Sequence, residues 1–194
     1  MTARRRTTRL WLVCHAATSA LRSPAFPLDE PPEPTALREL RAAHPQLRNA
    51  DRCWTGLALR AVQTAEALGL SPIVEPLLRE CDYGEWAGRS LDDVHSRDPQ
   101  GIAAWLSDPE AAPHGGEPIA ELLWRVATWL NAQRHVPGKI LAITHASVIR
   151  AAMVHALRAP ADSFWRIDVA PLSVMKLSCA GEHWTLACLG EPLT

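Results

Sequence analysis

Short runs of consecutive apolar residues alternate along the chain with longer stretches in which apolar positions recur every three or four residues. The runs predict buried strands at 9–14, 52–55, 72–78 and 139–144, and a terminal hairpin at 174–179 and 183–189. The helical spacing predicts helices at 36–43, 57–68 and 148–157, and a long helix from Ile119 that ends before Pro137. Strands that alternate with helices favour a three-layer αβα sandwich, whose central sheet is mostly parallel with an antiparallel edge strand.

Three stretches lack a clear period and are expected to carry function. Residues 24–34 contain five of the sixteen prolines and are predicted to form a surface loop. Residues 79–90 mix acids, glycines and aromatics out of register, as is typical of a functional loop. Substrate specificity is expected from 22–34 and 92–118, where Trp105 and His114 could shape a lid and nearby acids would disfavour polyanionic substrates.

Composition narrows the class of protein. A chain of 194 residues, 47% hydrophobic and 21% charged, is predicted to form one globular domain over 1–194. Twenty basic and 21 acidic residues give no overall field for nucleic acid or a membrane surface, so any phosphate must be bound locally. The apolar run after Arg4-Arg5-Arg6 is too short for a signal peptide, and no run is long enough to span a membrane.

The cysteines and tryptophans add two weaker expectations. The five cysteines are scattered without a CxxC pair, which indicates a reducing, cytoplasmic environment. Most of the eight tryptophans are expected in the core, and any that are exposed could mark the surface of a homodimer.

Two histidines stand directly after predicted buried strands. His15 follows the strand at 9–14, and His145 lies at the turn between the strand at 139–144 and the next helix. Ligands of open parallel sheets bind beyond the carboxyl ends of the strands. The pattern therefore predicts that His15 and His145 share a pocket, while the other six histidines are interpreted as surface or packing residues.

Four segments of the chain carry a family resemblance, with Gly115-Gly116-Glu117 between the last two. They are Leu12-Val-Cys-His-Ala-Ala-Thr18, Arg60-Ala-Val-Gln-Thr-Ala65, Leu78-Arg-Glu-Cys-Asp-Tyr-Gly-Glu-Trp-Ala-Gly88 and Ile143-Thr-His-Ala-Ser-Val-Ile-Arg150. In this order they resemble the histidine phosphatase superfamily, which has the phosphoglycerate-mutase-like fold. The resemblance implies hydrolysis of a small phosphorylated metabolite through a phosphohistidine, without metal or other cofactor.

The same resemblance assigns roles to individual residues. His15 matches the family nucleophile, a neutral imidazole whose second nitrogen is held by a backbone carbonyl. Arg60 and His145 match donors to the phosphoryl oxygens. Glu80 matches the general acid, whose pKa would rise beside a bound dianion.

The chain also departs from the pattern of this family. Cys14 stands where an arginine precedes the nucleophile, Ala16 and Ala146 replace glycines, and Leu21 replaces an asparagine. The missing arginine and asparagine are phosphate ligands in typical members. A lost donor to the transition state commonly costs on the order of a hundredfold in rate.

Three explanations stay open at this point. In a working phosphatase, Arg22 or an arginine within 4–9 could replace the lost charge. In a pseudo-phosphatase, the fold and an anion pocket would serve binding. In the third explanation the chemistry uses the thiols, and Cys14, His15, Cys81 and His145 could ligate a metal. Their spacing fits no usual zinc pattern, and adjacent strand residues such as Cys14 and His15 point to opposite faces.

Overall fold

One central sheet with helices packed around it makes up the part of the chain, residues 7–40, 47 and 49–193, that the computed structural model describes. The strands are β1 Thr8–Cys14, β2 Arg52–Thr55, β3 Ile73–Val74, β4 Gly138–Thr144, β5 Ser173–Cys179 and β6 Thr185–Pro192. The helices are α1 Ser19–Arg22, α2 Pro34–Leu40, α3 Leu59–Ala67, α4 Leu91–Arg97, α5 Pro99–Ser107, α6 Ile119–Gln133 and α7 Ala146–Leu157.

The strand order of the sheet is β3-β2-β4-β1-β5-β6. The pairs β1–β4, β2–β4 and β2–β3 are parallel. Strand β5 pairs antiparallel to β1, and β6 pairs antiparallel to β5. The predicted fold class is thereby confirmed. Alternate residues of β1 enter different cores: Leu10 and Leu12 pack with α6 and α7 on one face, and Val13 packs with α3 on the other.

The register of β1 and β4 positions the site. Cys14 pairs with Thr144 at the carboxyl ends of the two strands. The next residues, His15 and His145, therefore leave the sheet side by side, in the position that was predicted from the strand pattern.

The structure differs from the sequence prediction in two places. The strand predicted at 72–78 is only Ile73–Val74, because Pro76 begins a 3₁₀ turn whose Leu77 amide donates to the Glu75 side chain. The specificity segment 92–118 contains two helices, capped by the side chains of Ser90 and Asp98, that the pattern did not reveal. The far end of the helix predicted at 36–43, like the arginines at 4–6, lies outside the described residues.

Four of the eight tryptophans are buried, and three more are half-buried and pack against the cores. Trp124 on α6 is the clear exception, with 69% of its surface exposed. Among the helices of the described ranges, none is both long and apolar enough to cross a membrane.

Candidate active site

The floor of the site is formed where β1 and β4 end. The His15 amide donates to the Thr144 carbonyl over 2.9 Å, and the rings of His15 and His145 lie 5.2 Å apart between centroids. Gly56, just after β2, closes the floor. A Cβ on Gly56 would lie 2.9 Å from His145 Nε2 and 2.7 Å from the Leu78 carbonyl oxygen, so this approach requires glycine.

His15 is held as a neutral imidazole of fixed orientation. Its Nδ1 lies 2.8 Å from the Ala16 carbonyl oxygen, which can only accept, so Nδ1 carries the proton and Nε2 the lone pair. Burial, with the nearby His145 as the next cause, lowers the pKa of His15 from 6.5 to about 3. The Ala16 amide in turn donates to Thr64 Oγ1 over 3.0 Å, which fixes the loop after β1 to α3. His15 therefore presents a nucleophilic nitrogen at neutral pH.

Arg60 lies in the first turn of α3 and is almost fully buried. One terminal nitrogen donates to the Leu28 carbonyl over 2.5 Å, and the other lies 3.5 Å from Glu80 Oε2. The amide of Leu59, which precedes it, donates to Asp29 Oδ1 over 2.7 Å. The Leu59 amide at the start of α3 is therefore already bound to the Asp29 carboxylate. Arg60 can bind an anion through its guanidinium.

Glu80 is surrounded by donors. His145 Nδ1 lies 3.3 Å from Oε2, while Ser147 Oγ and the Cys81 amide donate to Oε1. Burial opposes ionisation of Glu80, but His145, Arg60 and Ser147 outweigh it and hold the pKa of this carboxyl well below its usual range. The sequence predicted a raised pKa for Glu80 when a dianion is bound. Without a ligand the pKa of Glu80 is lowered instead, because His145 and Ser147 contact the carboxylate, and the sequence did not reveal these contacts.

His145 is completely buried beneath the cleft. Neither ring nitrogen has a partner of good hydrogen-bond geometry among the described residues. Leaving a buried donor or acceptor unsatisfied costs about 1–3 kcal/mol. A cost of this kind beside Glu80 and His15 is typical of a functional site.

A buried ion pair supports Glu80 from below. Arg125 on α6 donates to both carboxylate oxygens of Glu117, over 2.5 and 2.8 Å, and Arg79 adds a contact of 3.0 Å. The same guanidinium donates to the carbonyl oxygens of Leu77 and Glu80, at 2.8 and 3.2 Å. Arg125 therefore fixes the backbone from which the Glu80 side chain extends.

Above this floor lies a cleft of about 160 Å³. His15, Cys14, Arg60, Glu80 and Ala146 line it, so the structure brings five of the predicted site residues together. The remaining walls are largely apolar and aromatic, with two further charged groups: Leu21, Tyr83, Trp105, Phe164 and Trp165, together with Glu30 and Arg150. Trp105 thus faces the cleft as expected, whereas His114 is buried behind it against Trp86.

The other predicted residues occupy different surroundings. Arg22 does not line the cleft. Its guanidinium binds both carboxylate oxygens of Glu33, over 2.6 and 2.8 Å, and its side chain is 75% exposed. Cys14 is buried, and burial followed by the charge of Glu80 raises the pKa of its thiol to about 12. The thiol therefore stays protonated, which disfavours thiolate chemistry at the site.

Comparison with known proteins identifies the family of the chain. Residues 10–192 match the family model of the histidine phosphatase superfamily, branch 1. The chain belongs to this superfamily. It is 28% identical, over 83% of its length and 85% of the relative's, to the adenosylcobalamin/alpha-ribazole phosphatase of Salmonella typhimurium. It is also 32% identical, over 62% of its length, to a bifunctional protein of Mycobacterium tuberculosis, of which the match spans only 34%.

A solved structure shows the same fold. A mutant phosphoserine phosphatase of Entamoeba histolytica, in complex with phosphoserine, superposes with a TM-score of 0.84 at 16% identity, covering 95% of this chain and 97% of that one. At this identity the likeness establishes the fold of the superfamily for this chain.

One set of side chains in the described residues could also hold a metal ion. Ligand atoms of His15, Glu80 and His145 lie within 4.8 Å of one another. Arg60 lies 3.5 Å from the same Glu80 carboxylate, and its positive charge favours an anion over a cation there. The thiols considered earlier do not join this set, and Cys81 Sγ lies instead 3.6 Å from the Glu117 carbonyl oxygen.

Sequence reasoning did not single out several residues of the site. Ser147 and Arg150 stand within the segment from Ile143 to Arg150 that carries the family resemblance. Their spacing of three residues puts them on one helix face, a signal that could have found them. Thr64 likewise lies within a quoted segment. Glu30 carried no comparable signal, because only the folded loop brings it to the cleft.

Proposed function

We propose that the protein is a phosphoric monoester hydrolase that acts through a phosphohistidine on His15. The observation that carries the proposal is the state of this imidazole: neutral, with Nδ1 bound to the Ala16 carbonyl, at the bottom of a cleft beside Arg60 and Glu80. Such a nitrogen is poised as a nucleophile and needs no base to activate it.

The first step forms a bond between His15 Nε2 and phosphorus and breaks the bond between phosphorus and the leaving oxygen. Arg60 stabilises the negative charge on the non-bridging oxygens, which is the main requirement of phosphoryl transfer. The leaving oxygen takes a proton from the Glu80 carboxyl. A bound phosphoryl dianion raises the pKa of Glu80 toward protonation, against the low value that His145 and Ser147 impose.

The second step returns His15 to its starting state. Water attacks phosphorus, the bond to Nε2 breaks, and Glu80 takes up the proton that water loses. His145 Nδ1 lies 3.3 Å from Glu80 Oε2 and is sealed from solvent. Its role here is to position the Glu80 carboxylate, since it does not line the cleft.

The cleft favours a small monoester with a largely apolar or aromatic leaving group. Tyr83, Trp105, Phe164 and Trp165 supply flat walls. Glu30 Oε1 is buried without a partner in the described residues and is available to accept from a hydroxyl or ammonium group of the substrate. A second phosphate beside Glu30 and Glu80 would be repelled, which disfavours bisphosphates.

The test is release of inorganic phosphate from an aryl phosphate, alpha-ribazole phosphate, phosphoserine and a bisphosphate sugar. Wild type is compared with His15→Ala and with Arg22→Met, whose side chain lies outside the cleft. We expect release by wild type and Arg22→Met and none above background by His15→Ala. No release by wild type from any monoester would reject hydrolysis and favour a binding protein that keeps the fold.

A further inference from the structure

Arg150 is a charged residue of the cleft that the proposed steps do not use. It lies in the second turn of α7, three residues after Ser147 and four after Ala146, and all three line the cleft on one helix face. The guanidinium carbon of Arg150 lies 5.7 Å from the centre of the Phe164 ring, a distance that allows a cation–π contact.

The donors of Arg150 have no acceptor among the described residues. Within residues 7–40, 47 and 49–193 its side chain makes no hydrogen bond and no ion pair, and its Nε is buried. The residue is half-buried, and its buried Nε is a donor without a partner, which is costly. An arginine in this state, in the wall of a cleft, indicates that its acceptor is a ligand.

Arg60 cannot supply all the positive charge that a phosphoryl group needs. One of its terminal nitrogens is bound to the Leu28 carbonyl, and the other faces Glu80. Glu80 and Glu30 add negative charge to the same cleft. A dianion bound beside His15 therefore requires a second cation, and Cys14 provides none.

The field of Arg150 reaches the place where such a dianion would lie. Its positive charge acts on the Cys14 thiol, adjacent to His15, and on the Tyr83 hydroxyl, opposing the rise that burial causes in the pKa of each group. Cys14 and Tyr83 both line the cleft, so the influence of Arg150 extends along it.

We propose that Arg150 is a substrate-binding residue that donates to the non-bridging oxygens of the phosphoryl group on its way to His15. The inference rests on the proposed function for its ligand, and it can be tested without turnover. Phe164 keeps the guanidinium in the cleft, and substrate binding supplies the acceptor that the described protein residues lack.

The experiment measures binding of inorganic phosphate and of orthovanadate by titration calorimetry, together with kcat/KM for an aryl phosphate. Arg150→Met, which keeps the volume and removes the charge, is compared with Arg22→Met and with Arg150→Lys. Loss of a charge-assisted contact predicts that Arg150→Met binds phosphate at least about tenfold more weakly, with a parallel fall in kcat/KM. Arg150→Lys should retain part of the binding and Arg22→Met all of it.

A second variant asks whether the charge itself matters. Adding Cys14→Arg to Arg150→Met introduces a guanidinium next to His15 and should recover part of the lost phosphate binding. Unfolding in urea verifies that each variant is folded. Should Arg150→Met fail to fold, Arg150→Lys is compared with wild type instead, and phosphate binding is expected to be about two- to tenfold weaker in Arg150→Lys.

The outcomes separate this inference from the proposed function. Phosphate binding that depends on Arg150 in a protein that releases no phosphate would refute hydrolysis and support the role of Arg150. Phosphate binding and kcat/KM equal in Arg150→Met and wild type would overturn the role of Arg150 and leave hydrolysis intact. Failure of wild type to bind either anion would overturn the inference as well.

Discussion

Replacing His15 by glutamine is predicted to change how the stability of the protein depends on pH. Burial, followed by His145, lowers the pKa of His15 from 6.5 to about 3 in the folded chain. Below pH 6.5, therefore, His15 binds a proton in the unfolded chain and stays neutral in the folded chain until the pH reaches about 3. The free energy of unfolding must fall as the pH falls through this window, and the contribution of His15 is constant above 6.5 and below about 3.

The magnitude follows from the difference between the two pKa values. One pKa unit corresponds to about 1.36 kcal/mol, so the whole difference amounts to about 5 kcal/mol. Between pH 7.5 and pH 5 only the part below 6.5 is lost, which is about 2 kcal/mol.

Urea denaturation of wild type and His15→Gln at pH 7.5 and pH 5 measures this difference. Glutamine can still donate to the Ala16 carbonyl but does not titrate, and the other seven histidines are present in both proteins. Wild type should lose about 2 kcal/mol more than His15→Gln on going to pH 5. Equal losses in the two proteins would refute a buried neutral imidazole at this position.

Three further predictions concern the surroundings of His15. Glu80→Gln should lower kcat about 10²–10⁴-fold for an alkyl phosphate, whose leaving oxygen needs a proton, and much less for an aryl phosphate with an acidic phenol. An equal loss of kcat on both substrates would contradict an acid role for Glu80. So would the same difference between the two substrates in Glu30→Gln. Arg125→Met should lower the free energy of unfolding by about 3–5 kcal/mol, because Glu117 is left buried with a weaker partner; urea unfolding that matches wild type would contradict it. Cys14→Ala should keep most activity, since the thiol stays protonated, whereas abolished activity would revive thiol chemistry.

Much of the site could be predicted from local signals in the chain. His15 and His145 each follow a short apolar run, and any parallel pairing of two such strands brings the next residues to one edge of a sheet. The adjacency of β1 and β4, with Cys14 opposite Thr144, realises that expectation. The position of His15 and His145 at one edge of the sheet can therefore be predicted from the pattern of apolar runs alone.

The charges of the site could not be predicted in this way. Arg22 is adjacent in sequence to Leu21, yet it binds Glu33 at the surface, a pairing that no local pattern indicates. The pKa of Glu80 depends on His145 and Ser147, whose distances only the fold determines. Long-range pairing of polar groups leaves no periodic trace in a sequence.

The central claim is that phosphorus is transferred to His15, and trapping that intermediate tests it most directly. Wild type, His15→Gln and Glu80→Gln are mixed with an aryl phosphate, quenched in alkali, in which phosphohistidine survives, and mapped by peptide mass. The account predicts a phosphoryl group on the peptide that contains His15, in wild type and more strongly in Glu80→Gln, where hydrolysis lacks its base, and none in His15→Gln. Phosphate release by wild type with no labelled His15, or label that persists in His15→Gln, would contradict it.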